Sequence, residues 1–186
     1  MDRKHPEYLA QLARVIHTDL TKPKILSCWF SNSDEDADRK FPEYKEHFLS
    51  FFQQGSTFVR ADKEKFLEQV NNADVIYFHG GHTTLLLPAM EKYENIEKVF
   101  EGKIVVGSSA GANYLSSTSF SPSKATAEEG GSLTNLAVIV HFNSIGYGDL
   151  TFEPSFWQDA IGKVREKSGN NDVILLPEGT FTIVDV

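Results

Sequence analysis

Short, unbroken apolar runs that alternate with helical patterns set the tightest limit on what this chain can fold into. "KILSCWF" (24–30), "DVIYF" (74–78), "KIVVG" (103–107), "LAVIVHF" (136–142) and "DVILLP" (172–177) are continuous apolar stretches of strand length. A strand is apolar on both sides only where both faces of its sheet are covered. Helices between such strands supply the cover and make parallel pairing possible. The expected fold is therefore α/β: a doubly wound, mostly parallel sheet with helices on both faces. No internal repeat or linker interrupts the pattern, and 186 residues suit a single domain over 1–186.

The helical segments can be placed from spacing and caps. "YLAQLARVI" puts Leu9, Leu12, Ala13 and Ile16 on one face. "SNSDEDADRK" (31–40) reads as an acidic solvated loop, followed by a helix that starts at Pro42 and stops at Gly55. "STFVRA" is a short strand, and "DKEKFLEQVNNA" is a helix with Asp62 as its N-cap. "TTLLLPAMEKYENIEKVF" (83–100) reads as one helix with Pro88 near its first turn, and "PSFWQDAIGKVREK" (154–167) as another. "AGANYLSS" begins a helix, and "TSFSPSKATAEEGGS" (118–132) reads as a loop. "TFTIVDV" reads as a last strand joined to "DVILLP" through "EG".

Charge and cysteine content exclude several classes. The net charge is −8 and no basic stripe is present, which argues against a nucleic-acid partner. The one cysteine, Cys28, cannot form an internal disulfide and reads as a small buried hydrophobe. No apolar run has the length of a membrane span, and the N-terminal segment has no signal-peptide core. The expected location is cytoplasmic, with no membrane partner.

In doubly wound sheets the working residues collect just after the strands. Three chemically capable residues pass that test. Ser109 sits in "GSSAG", a G-x-S-x-G pattern in which a sharp strand-to-helix turn holds up a nucleophile. The same small residues also suit a plain strand-loop-helix junction. His141 follows an apolar strand, where a general base would stand, but a histidine at a strand end is often structural. Glu178 follows the last buried strand, where a carboxylate could orient an imidazole; "PEG" is equally a tight turn. Gly80 and Gly81 form a fourth element after "DVIYF", and their N–H groups could join that of Ala110 in an oxyanion hole. The Gly-rich patterns of phosphate loops are absent. His79 and His82 alone make a weak metal pair, since no second cluster of ligands stands near them in sequence.

Together these pieces resemble the peptidase E and cyanophycinase family of serine peptidases, which have a class I glutamine amidotransferase-like, flavodoxin-like sandwich fold. "FHGGHT" (78–83) is similar to the family's "GGGNT" loop, "GSSAGAN" (107–113) to its "GWSAGAN", "IVHF" (139–142) to its "NPHF", and "LPEGTFTIV" (176–184) to its "LPEG" and following strand. The similarity runs in order from about residue 24 to the C-terminus. It implies Ser109 as nucleophile, His141 as general base and Glu178 as third triad member. It implies Gly80, Gly81 and Ala110 as oxyanion donors. His82, Asn113, Phe156 and Trp157 become candidates for the substrate pocket. The implied reaction is hydrolysis of short peptides through an acyl-enzyme, with no metal or cofactor.

The sequence also departs from the family pattern. The family's aspartate after the elbow helix has no counterpart in "SPSKATAEEGG", where Glu128 and Glu129 are the only acids. The arginines that aspartyl-dipeptide enzymes carry after "HF" are replaced by "PSFWQDA", with Lys163 and Arg165 further on, so aspartyl specificity does not follow. His79 and His82 replace a glycine and an asparagine of the family's loop. The family's first strand has no counterpart before "KILSCWF", which leaves a sheet edge to be covered by the N-terminal helix or by a second copy in a homodimer. Two further readings share the scaffold: a non-catalytic binding or regulatory member, and a cyanophycinase-like β-aspartyl peptidase.

Overall fold

The structure, a computed structural model, describes residues 6–169 and 172–185. It divides into two compact units, Met1–Gly111 and Ala112–Val186. In chain order the first unit holds α1 (Pro6–Asp19), β1 (Lys24–Cys28), α2 (Asp34–Leu49), β2 (Thr57–Arg60), α3 (Phe66–Asn71), β3 (Val75–Phe78), α4 (Thr83–Met90), α5 (Ile96–Val99) and β4 (Ile104–Gly107). The division falls within α6 (Ala110–Leu115). The second unit continues with β5 (Thr118–Ser121), β6 (Thr126–Glu129), β7 (Ala137–Val140), β8 (Gly146–Tyr147), β9 (Leu150–Thr151), α7 (Pro154–Ser168) and β10 (Val173–Leu176).

The first sheet is wholly parallel in the order β2-β1-β3-β4. Its register aligns Ile25 with both Phe58 and Val75, Val75 with Ile104 and Tyr77 with Val106. These residues share one face and pack with Leu9, Leu12 and Ile16 of α1 and Phe48 of α2. The opposite face carries Phe78, whose ring meets Phe66 of α3 and Phe100 after α5. Helices on both faces explain the continuous apolar strands. The α1 face follows the predicted spacing: Leu9, Leu12, Ala13 and Ile16 are all buried. This helix covers a face of the sheet, not the open edge that the sequence suggested.

The second sheet runs β10-β7-β5-β6, with only the β5–β6 pair antiparallel. Helix α7 packs Trp157, Ala160 and Val164 against Phe120, Ala137 and Ile139. A small antiparallel hairpin, β8–β9, adds a third sheet.

Several segments differ from expectation for local reasons. Residues 34–40 are the first turns of α2 and not a loop. Ser33 caps them by accepting from the Asp36 N–H, and Asp34, Glu35 and Asp36 sit where the helix dipole favours negative charge. Pro42 consequently lies inside the helix and does not start it. Asp62 is not an N-cap: it accepts from the Glu64 and Lys65 N–H groups in a turn before α3. The 83–100 segment splits into α4 and α5, with Asn95 in the left-handed region at φ 53° between them, and Pro88 lies in the second turn of α4. Residues 118–129, expected as a loop, form the β5–β6 hairpin, closed by a turn in which Ala125 has φ 50°. Residues 181–185 join no sheet, and Ile183 is 64% exposed; an apolar pattern makes a strand only where a sheet edge receives it. Val186 lies outside the described residues.

Two titratable groups are sealed in the first unit. Burial pushes the Cys28 thiol up to about 12, so it stays protonated and inert. His79 is 3% exposed, stacks on Trp29 with centroids 3.9 Å apart and meets Tyr44 edge-on. Its Nε2 lies 2.8 Å from Ser27 Oγ, which also accepts from the Trp29 indole N–H at 2.7 Å. Burial holds the His79 pKa well below its usual 6.5. This histidine is a core residue in an aromatic box, while His82 is exposed on the surface.

Removing the Ile16 side chain beyond Cβ should cost about 2–5 kcal/mol, read as a lower urea midpoint for Ile16→Ala. His79 also predicts a pH dependence. It binds fewer protons folded than unfolded, so stability is full above the unfolded value near 6.5 and falls as pH drops below it. The slope approaches about 1.4 kcal/mol per pH unit. Urea titrations at pH 7.5, 6.0 and 5.0 should show this loss in the wild type, and a smaller one in His79→Gln.

Candidate active site

In a parallel pair, strands in step deliver the residues after them to the same edge. Phe78 of β3 pairs with Gly107 of β4. Two residues further on, Gly80 and Ser109 are neighbours: a Cβ built on Gly80 would stand 3.2 Å from Ser109 Cβ and 3.8 Å from its Oγ. Ser109 has φ 51°, the left-handed conformation that a nucleophile elbow requires and that a non-glycine residue adopts only at a cost. The turn is held by the Gly111 N–H donating to Ser108 O at 2.9 Å. Gly111 must be glycine for space, because a Cβ there would lie 2.3 Å from Phe78 O. The G-x-S-x-G spacing thus lets the helix start directly against β3. Ser109 is half-buried, and Ala110 is buried at the head of α6.

The glycine loop is bound to the segment after β1. Ser31 Oγ donates toward His79 O at 2.8 Å and Gly80 O at 3.1 Å, and Asn32 Nδ2 donates to Gly80 O at 2.9 Å. The His82 N–H donates to Ser31 O at 2.7 Å. Gly81 is exposed at φ 152°, and a Cβ on it would strike Ser31 O at 2.4 Å. Neither Ser31 nor Asn32 was legible as part of a site. "SN" before an acidic run carries only a turn signal.

The second unit repeats the arrangement. Leu176 of β10 pairs in parallel with Val140 of β7, and the Phe142 N–H donates to Leu176 O at 3.1 Å. His141 and Glu178 therefore leave the sheet at one edge. His141 Nδ1 donates to Glu178 Oε1, and Ser144 Oγ lies 3.5 Å from the same oxygen. His141 has φ 59° and Asn143 φ 58°, a strained turn closed by the Ser144 N–H donating to His141 O at 3.0 Å. The Tyr147 ring lies 5.1 Å from the imidazole. The imidazole is 19% exposed and the carboxylate 41%. A contact this open contributes at most about 1 kcal/mol to stability, so its effect is on orientation. With Nδ1 as donor, a neutral imidazole carries its lone pair on Nε2.

The remaining candidates fall in varied places. Asn113 is buried in α6. Phe156 stacks on Phe152 at 4.1 Å, and Trp157 is 2% exposed with its indole N–H on Ser144 O, so both rings are engaged in the second core. Glu128 pairs with Lys124 and Glu129 with Lys167, while Lys163 donates to Ala125 O. Among the described residues no three His, Cys, Asp or Glu side chains converge as a metal site would. No described helix is long and apolar enough to cross a membrane.

Comparison with known proteins shows the family and the fold. A sequence model of peptidase family S51 matches residues 36–185. A crystal structure of a candidate peptidase E protein from Listeria monocytogenes EGD-e superposes with a TM-score of 0.60 at 16% identity, covering 92% of this chain and 86% of that one. At that identity the likeness establishes the fold. No curated protein matches the chain. The match over most of its length, on the fold of a peptidase E-like protein, means that the chain belongs to peptidase family S51 and is a serine-type peptidase.

Proposed function

We propose that this peptidase hydrolyses short peptides by acyl transfer, with Ser109, His141 and Glu178 as its triad. The observation that carries the proposal is the His141–Glu178 hydrogen bond at the carboxyl edge of β7 and β10, which sets Nδ1 as donor and so makes Nε2 the basic nitrogen of the neutral ring. The left-handed turn at Ser109, against the Gly80 backbone, supports its role as nucleophile. Ser109 Oγ attacks the peptide carbonyl carbon while His141 Nε2 takes its proton. The oxyanion accepts hydrogen bonds from the Gly81 and Ala110 N–H groups. The C–N bond breaks as His141 returns the proton to the leaving amine. Water then attacks the ester while His141 takes its proton, and His141 passes that proton to Ser109 Oγ as the C–O bond breaks and the acid product leaves. Glu178 holds the imidazole in one tautomer and stabilises its cation. A short peptide is the substrate class that the resemblance to peptidase E supports.

Hydrolysis of a dipeptide and tripeptide library should show cleavage by the wild type. Ser109→Ala and His141→Ala should each lower kcat/KM by at least about 10⁴-fold. A serine-directed phosphonate should label Ser109 in the wild type and not in Ser109→Ala. Glu178→Gln should lower kcat by about 10²-fold or more, because the amide presents the wrong partner to the imidazole cation. A wild type that neither cleaves any peptide nor takes the label would overturn the proposal.

A further inference from the structure

We infer that Asn32, with Ser31, is a positioning residue that turns the Gly80–Gly81 peptide so that its N–H, and not its carbonyl, faces the nucleophile. The inference rests on the triad reading above.

Along a strand, each residue turns both its N–H and its C=O to one neighbour, and the next residue turns to the other. Phe78 O accepts from the Ser108 N–H, so Phe78 faces β4. The His79 N–H donates to Cys28 O, so His79 faces β1. Continued alternation would aim the Gly80 carbonyl at the β4 side, where Ser109 stands. An oxygen there would repel an oxyanion. The alternation is broken instead. The Gly80 carbonyl points back to the β1 side, drawn by Asn32 Nδ2 at 2.9 Å and Ser31 Oγ at 3.1 Å.

A trans peptide points its C=O and N–H in opposite directions. With the Gly80 carbonyl held toward β1, the Gly81 N–H is aimed toward β4. The His82 N–H bond to Ser31 O fixes the far end of the loop, and the positive φ of Gly81 absorbs the turn. Asn32 is itself held: its second amide hydrogen reaches Ser31 Oγ at 3.0 Å, and Lys40 Nζ donates to its Oδ1 at 3.3 Å. The side chains after β1 therefore set which pole of one peptide the reaction meets.

The test compares the wild type with Asn32→Ala and Asn32→Asp, in hydrolysis of the best library peptide and in binding of two inhibitors. One inhibitor is a peptide aldehyde, which forms a tetrahedral adduct; the other is the corresponding peptide alcohol, which does not. A mis-aimed oxyanion donor should lower kcat by about 10- to 100-fold and leave KM within about twofold. Aldehyde affinity should fall in parallel with kcat/KM, and alcohol affinity should not. Asn32→Asp keeps the shape of the side chain but sets a carboxylate against the Gly80 carbonyl. It should be at least as damaging as Asn32→Ala, whereas a space-filling role would leave it near wild type. Ser31→Ala removes the second donor and should show the same kcat-selective loss, and thermal melting checks that each variant is folded. An active wild type with Asn32 variants of unchanged kcat, or with equal losses for aldehyde and alcohol, overturns this inference and leaves the triad standing. A wild type that cleaves nothing overturns both.

Discussion

Parallel strand pairing in step is the constraint on which the proposed chemistry depends. A parallel ladder carries two strands out at the same edge, and the residues just beyond it become neighbours whatever their distance in sequence. The Phe78–Gly107 pair brings Gly80 beside Ser109, and the Val140–Leu176 pair brings His141 to Glu178. Helices cross back between these strands, so the carboxyl edges are left to loops. A register slip of one residue in either pair would separate Gly80 from Ser109, or His141 from Glu178.

Of the six non-glycine residues with positive φ among the described residues, three lie at these edges. Ser109, His141 and Asn143 all have positive φ, a conformation that costs about 1–3 kcal/mol for residues with a Cβ. The surroundings hold each in place. Gly111 lets α6 start against Phe78, and backbone hydrogen bonds close both turns. Substituting glycine at Ser109 or His141 would relieve the strain but remove the side chains that the proposed mechanism uses. The two mostly parallel sheets and their helix-covered cores supply the stability that offsets it.

His79 shows how a departure from the family's loop is accommodated. Where the resemblance leads one to expect a glycine, the chain places an imidazole against Trp29, Tyr44 and Tyr77 and within reach of Ser27 Oγ. The ring points into the core and leaves the backbone of the next two residues free to form the glycine loop. Burial keeps it neutral, which suits a box of aromatic rings and a hydroxyl. The same ring is then a source of acid sensitivity.

The sequence by itself determined the alternation of continuous apolar strands with helices, and hence an α/β fold with parallel sheets. It also determined which residues follow the strands, because strand ends are marked by the change from apolar to small or polar residues. Ser109, His141 and Glu178 were legible as strand-end residues for that reason. Tertiary structure decided what local pattern cannot encode. Residues 34–40 became helix because Ser33 and the acidic first turn cap it, and an acidic run looks the same in a loop. Residues 118–129 became a hairpin because β7 offered an edge beside β5, while 181–185, of stronger strand character, joined no sheet. The parts played by Ser31 and Asn32 were invisible in sequence, since they arise from hydrogen bonds to carbonyls more than forty residues away. Local pattern sets which elements form; the partners that long-range pairing brings together set what their ends can do.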